Sequence, residues 1–539
     1  MLLLEYHVPA PSQAKVGPYG APFDFAQGRL PDTGEGDNHS PPRIHVSLFR
    51  VMNDSRPSSI DLQAMARQVM LAQGFEPDFP PATRQQLADI SAHPPQLTPS
   101  DKVRDLRGLL WSSIDNDTSK DLDQIEVAER LPNGDVKVMV GIADVDAFVS
   151  KDSPIDQHAA KETTSVYTGV TIFPMLPNEL STGASSLLPD VDRPAVVTEF
   201  VINANGALNA SNVSRALVRN KAQLTYSAVG AWLEGMAAAP PKVAASTELQ
   251  AQLKLQDEVA QALRKLRYAN GALNIDTAEV VPLLLNQEVT GVATVEKNRA
   301  TELIEDFMIA ANGVVARLLE KVSSLRRIVK TPEHWDGLVR LAAAQGEKLP
   351  AQADSKALND FLLKRKAADP DHFADLSLAV IKLIGPGEYV LERPGDPEQG
   401  HFGLAVQDYT HSTAPNRRFA DVVTQRLIKA LLDGKPNPYS DDDLAGIAAN
   451  CTQKGDAARK VEREMSKRLA AVAMSHRVGE AFDAIVTGVT PKGTFVRVLQ
   501  PHIEGLLAQG AQGLHVGDKI RAKLTRTDVQ RGFIDFVRA

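Results

Sequence analysis

The 539-residue chain has one cysteine, Cys451. A single thiol excludes an intrachain disulfide framework and any zinc site built on several cysteines. It fits a reducing compartment, so a cytoplasmic protein is the expectation. No apolar run approaches the length needed to span a bilayer, and no membrane partner is expected. Met1-Leu2-Leu3-Leu4 is too short, and lacks the basic start, for a secretory signal. No internal repeat is visible. The chain also lacks the positive excess expected of a polyanion binder, its net charge being −8. What remains is an ordinary globular composition, 43% apolar and 23% charged. The length implies two to four domains.

The distribution of charge says more than its sum. From Cys451 to Ala539 there are 15 basic and 9 acidic residues, which leaves the rest of the chain at −14. A basic C-terminal piece on an acidic body suits a protein that holds a polyanion at one end and metal ions elsewhere.

Residues 1–42 are rich in Pro, Gly and Asp and read as an extended arm. Ile44–Met52 reads as a strand. Ile60–Ala72 has helical periodicity and ends at Gly74, and a second short helix opens at Pro80 and runs to Ile90. The pair reads as a helical collar on the main domain, with a helix-turn-helix as the alternative. Three prolines mark Ala92–Ser100 as a linker. From Asp101 to about residue 478 helices and strands alternate without a comparable break, as in one large α+β domain. Thr301–Val322 and Arg418–Leu432 are its clearest amphipathic helices. After that come five short β-type runs separated by Gly: Ile485–Val489, Thr494–Leu499, Glu504–Leu507, Lys519–Arg526 and Phe533–Val537. They predict an all-β barrel of the OB type over 479–539, a fold that binds single strands by aromatic stacking and a basic groove. The expected domains are thus 1–100, 101–478 and 479–539.

The most informative stretch runs from Ser113 to Glu126. Asp115, Asp117, Asp121 and Asp123 crowd into nine residues. Massed carboxylates repel one another unless a cation sits among them, and Mg²⁺ takes such oxygen ligands while leaving sites open for water and phosphate. A pair of ions can clamp the attacking and leaving oxygens of a phosphodiester. A solvated acidic loop is the bland alternative. The spacing also approaches an EF-hand, but Lys120 stands where that loop needs Gly. The flanks are wrong too: Gln124–Glu129 and Val136–Val145 read as strands joined by Pro132-Asn133-Gly134-Asp135, a hairpin signal.

Several segments together resemble the ribonuclease II (RNB) family of processive 3′→5′ exoribonucleases. They are the Asp-rich run, Val140–Val145, Ser165-Val166-Tyr167 with Ile172–Pro177, Ile304-Glu305-Asp306, His401-Phe402-Gly403-Leu404, and Tyr409–Asp421. Val486–Val498, Glu504-Gly505-Leu506 and Gly517-Asp518 resemble the S1 barrel that closes these enzymes. The resemblance covers about 430 residues, from Leu106 onward. It implies a Mg²⁺-dependent hydrolase of single-stranded RNA that releases nucleoside 5′-monophosphates. Two ions would act in the reacting complex, Mn²⁺ would substitute, and the enzyme would be monomeric. Asp115, Asp121 and Asp123 match three of the family's four loop aspartates as metal-binding and catalytic positions. The fourth position is Gln124, whose amide can ligate but brings no charge. Either Asp117 or Glu126 compensates, or metal binds less tightly, or the loop belongs to a less active branch. Arg417 resembles the arginine that grips the scissile phosphate, a role suited to a guanidinium fork, with Arg418 beside it as a second candidate. Tyr167 resembles a base-stacking tyrosine near the 3′ end. Glu305 resembles an acidic residue close to a ribose 2′-OH, and Glu462 resembles a glutamate close to the active site. Phe495 is the barrel's candidate RNA contact, and Asp144 reads as structural. The family's best-known bacterial members carry two cold-shock barrels before the catalytic domain, whereas the 100 residues preceding it here do not read as such strands. The alternatives are an RNA-binding protein whose catalysis has lapsed, with Gln124 as the trace, and a phosphodiesterase acting on DNA or a small nucleotide.

Overall fold

The structure, a computed structural model, describes residues 61–95, 98–276, 279–285, 288–295, 297–397 and 399–539. The arm and the strand expected before residue 53 lie outside these residues. The strands are β1 (Val103–Asp105), β2 (Ser112–Asp115), β3 (Gln124–Arg130), β4 (Val136–Ala143), β5 (Val166–Tyr167), β6 (Ile172–Phe173), β7 (Asp192–Ile202), β8 (Leu208–Arg219), β9 (Ala222–Thr225), β10 (Glu279–Leu285), β11 (Glu288–Val295), β12 (Ser324–Ile328), β13 (Glu388–Glu392), β14 (Ala481–Thr490), β15 (Gly493–Val498), β16 (Ile503–Gln509), β17 (Lys519–Asp528) and β18 (Phe533–Arg538). The helices are α1 (Leu62–Ala72), α2 (Pro81–Ala92), α3 (Pro154–Glu162), α4 (Tyr226–Leu233), α5 (Pro241–Ala244), α6 (Thr247–Ala269), α7 (Arg299–Leu318), α8 (Trp335–Ala344), α9 (Ser355–Ala368), α10 (Phe373–Ile384), α11 (Phe419–Leu432) and α12 (Asp441–Ser475). Among the described residues no helix is long and apolar enough to cross a membrane.

The body is built on a seven-stranded mixed sheet, ordered β1-β8-β7-β4-β3-β2-β9. The hairpin β3–β4 turns where the Asn-Gly-Asp signal stands. Gly134 takes φ +89°, and Asn133 accepts the Asp135 N–H. Along β4, Val138, Val140 and Ile142 pack into one core with Phe307 and Ile304 of α7. Met139 and Ala143 pack into another with Trp111, Ile125 and Val127. Both faces are covered, which is why the strand reads as a continuous apolar run. Gly141 is where β4 passes Trp111 and Ile125: an added Cβ would lie 3.1 Å from Ile125 Cγ1.

Three parts meet on α12, a 35-residue helix about 50 Å long at 1.5 Å per residue. A capping box at Ser440 and three aspartates in the first turn start it. Val461, Met465 and Leu469 pack against Leu62, Met65, Val69 and Met70 of α1. The N-terminal helices are therefore a collar rather than a free-standing module. Ala471 and Met474 then enter the core of the C-terminal barrel. That barrel is closed, in the order β14-β15-β16-β18-β17, and its five strands lie where the sequence pattern predicts them. Where β16 meets β18, a Cβ on Gly505 would run into the Ile534 carbonyl. The barrel is fastened to the body by Arg497, which donates to Asp375 of α10 at 2.8 Å.

Candidate active site

The Asp-rich run leaves the sheet at the end of β2, loops out and returns as β3, so strands rather than helices flank it. Its backbone is pinned from inside. Ser186 Oγ accepts the Leu122 N–H at 3.0 Å and donates to the Lys120 carbonyl at 2.7 Å. Asp123, only 3% exposed, faces the segment that precedes α11. Its Oδ1 accepts the Asn416 N–H at 2.9 Å, and its Oδ2 lies 3.5 Å from Arg417 Nε. Residues 163–167 run beside that segment: Ser165 N–H donates to the Arg417 carbonyl, and Phe419 N–H to the Thr163 carbonyl. This brings Tyr167 to the loop. Its hydroxyl donates to Asp121 Oδ2 at 3.4 Å, and its N–H donates to Glu462 Oε1 of α12 at 3.2 Å. Asp121, Asp123, Tyr167, Arg417 and Glu462 are thus brought together from four distant stretches of chain, with Asp115 at the start of the same loop.

Burial dominates the electrostatics of this group. It pushes the Asp123 carboxyl up to about 7, against the pull of Arg417 and with the push of Asp121. It pushes Asp115 up to about 6, with Asp121 adding to the effect, and raises Asp121 although Arg417 opposes this. Glu126 is fully buried and its carboxyl is driven well above the usual range, first by burial and then by the charge of Asp115. Neither of its oxygens has a hydrogen-bond partner, and leaving one buried polar group unpaired costs about 1–3 kcal/mol.

The other expected residues stand elsewhere. Arg418 is 6% exposed and forks onto Asp421 at 2.9 and 2.8 Å, while Asp421 also accepts the Ala414 N–H. Gln124 is 8% exposed and heads β3 opposite Ile142. Asp117 is exposed and accepts the Ser227 hydroxyl. Glu305 lines a separate, open pocket with Arg264, Arg267, Tyr268, Lys297 and Lys366. Burial pushes its carboxyl up, but Lys297 at 2.7 Å and Arg267 outweigh this and hold it below the usual range. Phe495 is half-buried on β15, on the same barrel face as Arg497 and so toward α10. Asp144 is structural: both its oxygens accept from Lys429 of α11, at 2.8 and 3.0 Å. Sequence reasoning assigned no role to Asn416, whose backbone orients Asp123, nor to the cations around Glu305. Arg264 and Arg267, one turn apart on α6 and both paired with Asp306, were the available signal.

Asp115, Asp121 and Asp123 are hard oxygen donors that raise one another's proton affinity, the chemistry a divalent cation relieves. Each is turned to its own partner: Ser119 and Asn116 N–H for Asp115, Tyr167 for Asp121, Arg417 and Asn416 for Asp123. Among the described residues no three His, Cys, Asp or Glu side chains yet converge on a single point. The donor set fits Mg²⁺ in type and charge.

The RNB domain family matches residues 103–434, and the RNase II-type exonuclease C-terminal S1 domain matches residues 480–539. The first match alone covers more than half of the chain, and the chain belongs to the RNB family. It is 28% identical over 543 residues to ribonuclease R 1 of Lactococcus lactis, covering 94% of this chain and 64% of that protein. It is 28% identical over 528 residues to a ribonuclease R of Thermotoga maritima, covering 91% of this chain and 72% of that one. The chain spans about half to three quarters of the length of the curated relatives it matches. In fold it is similar to Mycoplasma genitalium RNase R, solved in complex with ribose methylated single-stranded RNA. The TM-score is 0.80 at 21% identity, covering 89% of this chain and 78% of that one.

Proposed function

We propose that this protein is a Mg²⁺-dependent exoribonuclease that hydrolyses single-stranded RNA processively from its 3′ end and releases nucleoside 5′-monophosphates. One observation carries the reading: buried Asp123 faces Arg417 inside a group that also holds Asp115, Asp121, Tyr167 and Glu462. Asp115, Asp121 and Asp123, with Gln124, would hold the metal, which supplies Lewis-acid stabilisation of the phosphorane charge and an activated water. Arg417 is partly exposed, always charged and forked, so it can grip the scissile phosphate while Asp123 fixes its direction. Tyr167 has its backbone fixed by Glu462 and its ring beside Asp121, a place from which it can stack on the terminal base. The cations around Glu305 suit a phosphate chain approaching the site, with Glu305 as acceptor for a 2′-OH. The barrel, with Phe495 toward the body, supplies a sequence-tolerant grip. The working units are 101–478 and 479–539. The enzyme acts as a cytoplasmic monomer, and Mn²⁺ replaces Mg²⁺.

Gln124 favours one second reading, an RNA-binding protein that no longer hydrolyses. Digestion of a 5′-labelled oligoribonucleotide with Mg²⁺ or with EDTA decides between them. The expected result is progressive shortening from the 3′ end, mononucleotide products and no reaction in EDTA. Tight RNA binding without shortening would leave the second reading standing, and internal cuts or EDTA-resistant cleavage would sink the first.

A further inference from the structure

Strand β12 is buried along its whole length, yet it carries two consecutive arginines. Adjacent residues of a strand face opposite ways, so the two meet different surroundings. Arg326 reaches Glu392 of β13, its Nε donating at 2.7 Å. Arg327 stands directly across from Tyr389 in the β12–β13 pairing and is only 9% exposed. Its guanidinium lies over the Tyr389 ring at 4.8 Å, and among the described residues no carboxylate or other acceptor takes its side-chain N–H groups. A buried cation without a counterion is costly, and arginine has no neutral form to fall back on. Arg327 lines a pocket with Arg418, Arg459, Thr164, Thr452 and Tyr389, and among the described residues no Asp or Glu lines it. Arg418 is matched by Asp421, and Arg459 by Asp456. Three guanidinium charges thus meet two carboxylates, which leaves one positive charge unmatched, at Arg327.

The pocket backs onto the segment that carries Arg417. Two adjacent arginines part there: Arg417 turns to Asp123, and Arg418 turns to Asp421 and the pocket. Thr164, in the pocket wall, pairs with Arg418 across a β-bridge and donates its hydroxyl to the Arg417 carbonyl at 3.2 Å. We propose that this pocket is a second anion site, in which Arg327 binds a phosphate-type oxyanion. Such an anion supplies the counter-charge that Arg327 lacks, and its oxygens suit the guanidinium fork. Free inorganic phosphate and the 5′-phosphate of a nucleotide share this chemistry. No divalent ion is needed, so the site goes beyond the metal-dependent reading above.

The test is calorimetric titration of the full chain with inorganic phosphate, in EDTA and at constant ionic strength. The parent protein should bind phosphate at one site. Arg327→Met keeps an unbranched side chain and removes the charge, and it should weaken binding roughly tenfold or more, because a charged hydrogen-bonding group is lost. Arg417→Gln alters the active site and Lys297→Gln alters the pocket around Glu305, and both should keep the parent's affinity. Absence of binding by the parent overturns the anion site. So does unchanged affinity in Arg327→Met, and so does a loss in Arg417→Gln or Lys297→Gln as large as that in Arg327→Met, which would place the phosphate elsewhere or spread it over the surface. Should Arg327→Met fail to fold, Arg459→Gln in the same pocket decides: weaker phosphate binding supports the site, and unchanged binding overturns it. Competition in Arg417→Gln separates the two sources. Displacement of phosphate by AMP but not by adenosine assigns the pocket to a nucleotide's phosphate, and displacement by neither assigns it to free phosphate. Displacement by adenosine overturns a phosphate site.

Discussion

The loop between β2 and β3 and the strand β17 of the barrel each carry charge of mainly one sign, and they hold it in opposite ways. In the loop, Asp123 is buried and Asp115 and Asp121 are half-buried; the three repel one another and are each tied to a named partner. On β17, Lys519, Arg521 and Lys523 alternate with buried Ile520, Ala522 and Leu524, so the cations line the exposed face. Buried charges act at short range with little screening, and each is irreplaceable. Exposed cations meet a polyanion through a screened field in which only their sum counts. The barrel is also less basic than the C-terminal charge count suggests. Residues 479–539 hold 8 basic and 6 acidic residues, and half of the surplus lies on the second half of α12. Chemistry is therefore expected to fail at single residues in the loop, whereas binding should fade by increments along α12 and the barrel.

The sharpest test is Asp123→Asn. It should lower hydrolysis by about three orders of magnitude or more and leave the dissociation constant for RNA within about twofold, read by single-turnover kinetics and filter binding. Substantial residual activity would remove Asp123 from the chemistry.

Next comes the pair of adjacent arginines. Arg418→Ala strands buried Asp421 and should cost about 3–5 kcal/mol of stability in urea unfolding. Arg417→Ala should cost far less stability and most of the activity. Equal stability losses would mean that burial does not divide their roles.

The loop also makes stability depend on pH in the absence of divalent ions. Asp115 and Asp123 have folded pKa values of about 6 and about 7, above the unfolded value of about 3.9. The folded state therefore binds more protons than the unfolded one between those limits. Its advantage is complete below about pH 4 and is lost as pH rises through 6 to 7, by up to about 1.4 kcal/mol per unit for each group. Mg²⁺ requires the ionised forms, so the rise in Tm that it produces should be larger at pH 8 than at pH 5.5. A Mg²⁺ effect independent of pH would contradict the buried-carboxylate account.

The mildest change is expected in the barrel. Replacing Lys519, Arg521 and Lys523 together by Ala should reduce the slope of log K against log salt by at most about 3 and leave the cleavage rate of a short, saturating oligonucleotide unchanged. A collapse of that rate would move the barrel from grip to chemistry.

Much of this was legible in the chain because it is local. Periodicity marked β3, β4, α7, α11 and the barrel strands, since a side chain's face follows from its spacing alone. The Asp-rich run and the Tyr409–Asp421 motif pointed to the loop and to Arg417. Spacing could not tell Asp117 from Glu126, or Arg417 from Arg418. In each pair one residue is buried and the other is exposed or partly so, and burial is decided by what packs above, here α6 and α11. Nor could it show that Tyr167 joins Asp121 to Glu462 across 295 residues, or that α12 runs unbroken from body to barrel. Those facts depend on which surfaces meet when the chain closes on itself. A carboxylate's proton affinity, its partner and its use follow from that meeting, because the cost of its charge is set by the medium around it and not by its neighbours in sequence.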